Sequence, residues 1–212
     1  MHRDVDRGAP EESIPTLLAA LHARSGAPLN RAKTATDLGY QSRQTFDLRL
    51  VKLVRTFGAI WCHQVGLAGR RVVGAQAKLY LSDPIMAWLG PRLRAGLPAP
   101  DATRLTESSL AAALALAVEA RQPDRWTTDE TIGYTRARGG GEVDFAPAAL
   151  PSPGGDVRTP PIEVKWVSHG WRAEVRPLDT TFGRGIVATK NVTDTTGPVW
   201  ALPAPLRALL LG

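Results

Sequence analysis

Cysteine is almost absent. Cys62 stands alone among 212 residues, which excludes an internal disulfide and any zinc site built on cysteines. No apolar run reaches the ~18–20 residues needed to cross a bilayer. Ala111–Val118, the most apolar window, is too short and too rich in alanine. The start shows no secretory pattern, so the expectation is a protein of the reducing cytoplasm with no membrane partner. A phosphate-cradling G-x-x-x-x-G-K-[ST] loop is missing as well. The nearest run, Gly183 to Lys190, lacks the second glycine–lysine pair and precedes a strand, so ATP hydrolysis is not expected.

The net charge of +6 is unevenly spread. Between Arg24 and Lys78 ten Lys and Arg face only Asp37 and Asp47, and the remainder is about neutral to slightly acidic. A basic first half and a carboxylate-bearing second half fit nucleic-acid binding in one place and metal chemistry in another. An arginine-rich solvated surface, as a high-GC coding sequence produces, fits the same counts.

Helical periodicity and capping residues organise the first half. Ser13 can cap a helix with Leu17, Leu18 and Leu21 on one stripe, ending at Gly26. Asn30 opens a short second helix stopped by Gly39. Ser42 opens a third with Phe46, Leu50, Leu53 and Val54 at helical spacing, stopped by Gly58. Ala59–Val65 reads as a strand, Gly66–Gly69 as a turn, and Val72–Leu81 as an extended return. Helix, turn, helix and a two-stranded wing make a winged helix-turn-helix pattern. Arg43, Gln44, Lys52 and Arg55 on the third helix would face a DNA groove, and Arg70 and Arg71 at the wing a phosphate backbone. Such modules also serve protein docking.

In the second half Glu142-Val143-Asp144-Phe145 and Ile162-Glu163-Val164-Lys165-Trp166 both alternate in the manner of strands. If they pair, Asp144, Glu163 and Lys165 converge. Two adjacent carboxylates repel, and a divalent cation such as Mg2+ or Mn2+ relieves that repulsion. A lysine beside the ion can activate water or neutralise a phosphate. The plainer reading is a solvated Glu163–Lys165 ion pair on an edge strand, with Asp144 in a turn.

Asp144, eighteen intervening residues and Glu163-Val164-Lys165 resemble the D…(D/E)-x-K signature of the PD-(D/E)xK, restriction-endonuclease-like nucleases. The wording around them is similar to the C-terminal region of a family of prokaryotic AAA-type ATPases, in which a winged helix precedes a nuclease-like domain. Lys78, Tyr80 and Asp83 match a K-x-Y-x-x-D pattern of that family. The resemblance implies an α/β (α+β) chain: a winged helix-turn-helix and then an αβββαβ core. It implies a flexible leading segment over 1–12, a winged helix over 13–90, a linker over 91–103 and a nuclease-like domain over 104–212. From residue 106 onward the periodicity gives helix, strand, strand, strand, helix, strand, in agreement.

The implied activity is Mg2+-dependent phosphodiester hydrolysis of DNA, with Asp144 and Glu163 on the metal and Lys165 at the attacking water. Glu107, read in the first turn of the helix Thr106–Ala120, is either a dipole and capping residue or an acid assisting at the metal. Since the ATPase domain of that family lies outside this sequence, an ATPase partner or a longer parent chain is implied. The alternative is a catalytically silent DNA-binding or docking module.

Overall fold

A computed structural model describes residues 13–121, 131–136, 141–150 and 157–209. The leading segment 1–12, Gly139 and Gly140 of the triple-glycine turn, and 151–156 of the long Pro/Gly-rich loop lie outside the described residues. The chain is a mixed α/β protein. By contact density it falls into two units, Met1–Trp61 with Gln76–Ala112, and Cys62–Ala75 with Ala113–Gly212.

In the first unit, helices α1 (Ser13–His22), α2 (Arg31–Asp37) and α3 (Arg43–Arg55) follow in quick succession. The expected caps form. Asn30 Oδ1 accepts the Lys33 N–H at 3.0 Å and Ser42 Oγ the Thr45 N–H at 3.2 Å, each satisfying a donor that the first turn leaves open. Helix α3 turns off at Phe57 rather than at Gly58. Phe57 takes φ +57°, while the Gly58 N–H returns to the Leu53 carbonyl at 2.8 Å.

The apolar stripes of the three helices meet in one core that includes Leu17, Leu18, Phe46, Leu50 and Leu53. Leu79 and Leu81 of β2 (Lys78–Leu81) close it. Each such leucine contributes about 1.5–3 kcal/mol by leaving water. The return strand is shorter than expected, because Val72–Ala75 turns with Gly74 at φ +80° and only Lys78–Leu81 is extended. A one-turn helix, α4 (Leu89–Leu93), runs across the start of the linker expected over 91–103. Helix α5 (Ala102–Glu119) then begins four residues earlier than its periodicity predicts, because Asp101 Oδ1 accepts the Arg104 N–H at 3.0 Å.

Strand β1 (Ala59–Gln64) is divided between the units at Trp61/Cys62. It outlasts β2, and its last residues pair in parallel with β3 (Ile132–Arg136), in register Cys62↔Ile132 to Gln64↔Tyr134. For that reason the turn at 66–71, assigned by sequence to the wing, groups with the second unit. Strand β3 pairs antiparallel with β4 (Glu142–Val143), and a bridge Phe145↔Ile162 carries the chain to β7 (Ile162–Val164). A small hairpin, β5 (Ala149–Leu150) and β6 (Val157–Arg158), interrupts the connection. Beyond β7, α6 (Arg176–Phe182) leads into β8 (Gly185–Thr189), which pairs in parallel with both β7 and β9 (Val199–Pro203). A last helix, α7 (Ala204–Leu209), follows. All five residues of β8 are buried, as a central parallel strand requires. Val143, Trp171, Leu178, Val187 and Ala201 form the core beneath.

Candidate functional site

The Phe145↔Ile162 bridge fixes the arrangement of the acids. Phe145 and Ile162 exchange both backbone hydrogen bonds at 2.9 Å, so the preceding residue on one strand lies directly across from the following residue on the other. Asp144 therefore faces Glu163. Thr135↔Val143 sets the register of β4 on β3, yet the Ala146 N–H reaches the Gly133 carbonyl at 2.7 Å, one residue out of step. The extra residue is a bulge at Asp144, and bulges re-aim a side chain out of a regular ladder.

Both acids are buried, Asp144 at 8% and Glu163 at 5% exposure. Each reaches the other's strand. The Val164 N–H donates to Asp144 Oδ2 at 2.9 Å, and the Asp144 N–H to Glu163 Oε2 at 3.3 Å. Lys165 Nζ lies 3.2 Å from Glu163 Oε1 and 3.6 Å from Glu174 Oε2. The three residues that the D…ExK spacing singles out thus converge.

Burial pushes the Glu163 carboxyl up to about 8, and the negative charge of Asp144 adds to this against the pull of Lys165. Burial acts to lower the Lys165 pKa, but the charge and hydrogen bond of Glu163, with Asp144 and Glu174 behind, outweigh it, and the amine titrates above its ordinary value.

Glu174 was not found from sequence. It sits on a single 3-10 turn, Trp171–Glu174, behind a loop whose geometry carries no periodic signal. His169, near the motif in sequence, is exposed. A cleft of about 860 Å3 in the second unit is lined by residues that include Arg136, Arg176 and Thr180, and by none of Asp144, Glu163 and Lys165. Chemistry, not concavity, marks the acids.

Glu107 belongs to the first unit, where Tyr80 Oη donates to its Oε2 at 3.5 Å. The reading of Glu107 as a first-turn capping residue is corrected. With α5 starting at Ala102, it occupies the second turn and is buried at 9%. Lys78 and Tyr80, two residues apart on β2, are fully buried in the same unit.

Of the residues read as DNA contacts, Gln44, Lys52 and Arg55 are exposed on α3 beside the apolar Leu48 and Val51. Arg43 is exposed but engaged, with Nε 3.2 Å from Asp47 Oδ2 one turn away. That i,i+4 pair is visible in the sequence. Arg70 and Arg71 are exposed in the second unit.

No family model, no curated protein and no solved structure matches this chain.

Proposed function

We propose that the second unit hydrolyses phosphodiester bonds of DNA with a divalent cation, Mg2+ or Mn2+, held by Asp144 and Glu163. One observation carries this reading: two buried carboxylates face each other across a bulged bridge, with Lys165 3.2 Å from one of them. The donor set fits such an ion. The repulsion between the acids is relieved by the raised proton affinity of Glu163, and a hard cation relieves it in the proton's place. Among the described residues no group of three or more His, Cys, Asp and Glu comes together as a metal cage. The protein would supply two anionic oxygens and leave the other positions to water and substrate phosphate, as Mg2+ sites commonly do.

When bound, the ion polarises a phosphoryl oxygen and lowers the pKa of a coordinated water. The chain's own contribution is positioning. The bulge aims Asp144, the Val164 N–H holds one of its oxygens, and Glu163 and Glu174 keep Lys165 charged where negative charge grows on the phosphate. The order α5, β3, β4, β7, α6, β8 supports the restriction-endonuclease-like core. The capped α2 and α3, with exposed Gln44, Lys52 and Arg55, support a winged helix that contacts DNA. Glu107 enters this reading through the resemblance alone.

Incubation with plasmid and linear DNA in Mg2+ or Mn2+ tests the proposal. Asp144→Ala and Lys165→Ala should each slow cleavage by roughly 100-fold or more. Cleavage that persists in either variant removes the assignment.

A second reading has its own support. Asp144 already accepts a backbone donor, Glu163 accepts another, and Lys165 sits between two glutamates, a closed network of the kind a silent site keeps. On that reading the chain is a DNA-binding or docking module, serving an ATPase partner or forming part of a longer ATPase. Salt-dependent DNA binding that Glu163→Gln leaves unchanged, with no cleavage in any metal, selects it.

A further inference from the structure

A second concavity of the same unit, about 490 Å3, has a different chemistry. Its lining includes Arg70, Arg71 and Arg158 together with His63, Thr131 and Gly133, and among the described residues no aspartate or glutamate. Short-range structure fixes the arginines. The Gly66 N–H binds the Arg70 carbonyl at 2.9 Å, the Gly69 N–H binds the Gly66 carbonyl at 2.8 Å, and Val65 bridges Arg71. Gly69 turns with φ +78°, which a side chain would oppose, so the turn holds both arginines on a short leash. Arg158 is held opposite Ala149 in the β5–β6 hairpin, and that hairpin is pinned by reciprocal bonds between Ala148 and Thr159 at 2.9 Å.

All three arginines are exposed, and none pairs with a carboxylate among the described residues. Three like charges in one hollow raise the local potential and draw anions. The Thr131 hydroxyl oxygen, on the lining, is buried with no hydrogen-bond partner among the described residues. A buried hydroxyl without a partner costs free energy that a ligand oxygen would recover. The floor is tight: a Cβ on Gly133 would lie 2.8 Å from Val65 Cγ1.

The hollow adjoins the acid-bearing strand. Ala146, on its lining, is two residues beyond Asp144, at most about 7 Å along the chain. That is short enough for the hollow and the acids to meet one strand of a duplex, which advances about 3.4 Å per nucleotide along the helix axis. We infer that this hollow is a phosphate-binding subsite, in which Arg70, Arg71 and Arg158 grip consecutive phosphodiesters of the strand whose scissile bond lies at Asp144 and Glu163. The planar guanidinium fork suits phosphate oxygens. With three positive charges on its described lining, the hollow takes a row of phosphates in preference to a single one. The place of the scissile bond rests on the nuclease reading, but binding itself needs no cleavage.

Affinity of the full chain for a short fluorescein-labelled DNA duplex, titrated across salt concentrations without divalent metal, tests the inference. Arg158→Ala and the double variant Arg70→Ala/Arg71→Ala should weaken binding about 10-fold or more at moderate salt. Each lost phosphate contact should flatten the log–log salt slope by about 0.9. Arg158→Lys should recover part of the affinity, and Arg184→Ala, an exposed arginine outside the hollow, should change little. Unaltered thermal midpoints exclude misfolding as the cause.

Equal affinity and slope in the hollow variants and in Arg184→Ala overturn the subsite. A nucleoside triphosphate or inorganic phosphate that binds in an Arg158-dependent way, while the duplex does not bind, overturns the strand and assigns the hollow to a free phosphate ester. If the hollow variants bind weakly but no metal supports cleavage, the nuclease reading falls and the subsite stands. If cleavage occurs and the hollow variants bind normally, the subsite alone falls.

Discussion

Each unit buries a glutamate beside a lysine-bearing strand, and the two glutamates differ in their company. Glu107 points at the hydroxyl of Tyr80, a neutral donor, and crowds Gly26 so closely that a Cβ there would lie 2.4 Å from its Oε2. Glu163 faces a second carboxylate across a bulge and leans on Lys165 for relief. A buried acid set against another acid is held at a cost, and a proton or a cation removes that cost. On the proposed reading, that difference would separate a structural acid from a poised one.

The sharpest way to expose that contrast is pH. The folded-state pKa of Glu163 is raised from the ordinary 4.5 to about 8. Between those values the folded chain holds a proton that the unfolded chain has released, so stability falls as pH rises through that window and levels off above it. The pull of Lys165 is already contained in the raised value, and the expected effect is a decline of the order of a few kcal/mol across the window. Glu163→Gln should remove the decline, leaving the variant as stable as the parent near pH 4.5 and more stable near pH 8. Urea unfolding at a series of pH values measures this. Parallel curves for parent and variant would mean that Glu163 is not held at a cost, and the contrast would collapse.

A smaller effect, and a more selective one, comes from metal. A cation that binds the folded state alone stabilises it by about 2.7 kcal/mol at 100 times its dissociation constant. Mn2+ should raise the thermal midpoint of the parent and of Glu107→Gln, and leave that of Asp144→Asn where it was. If Glu107→Gln loses the response instead, Glu107 belongs with the metal acids after all, and the role implied for it by resemblance is restored.

What could be read in advance follows the range of the interactions involved. Asn30 and Ser42 act within three residues of themselves, and both caps form as expected. Asp144, Glu163 and Lys165 declare themselves by period-two alternation, because a strand pair converts that alternation directly into a shared face. The bulge that aims Asp144 has no such signal, since it depends on the offset between the bond to Gly133 and the register at Thr135. Glu107 was misplaced by one turn because Asp101, not the apolar stripe, sets where α5 begins. The turn at 66–71 was assigned by local continuity to the wing, whereas the backbone of Cys62–Gln64 finds its partner some seventy residues downstream in β3. Arg158 lies in a stretch dominated by proline and glycine, where composition says loop and nothing about what the loop presents.

The finest test separates the two acids by their hydroxyl neighbour. Tyr80 is fully buried, and its hydrogen bond to Glu107 is long at 3.5 Å, so the bond contributes at the low end of the usual range. Tyr80→Phe keeps the ring and its packing, and it should cost about 1 kcal/mol in urea unfolding. DNA cleavage and the Mn2+ response should remain at parental levels on the proposed reading, because the variant removes one neutral donor from Glu107 and alters no charge. A loss of cleavage with stability intact would contradict that division of labour. It would show that the Tyr80–Glu107 contact orients a group the reaction uses, and the first unit would then share in the chemistry assigned here to the second.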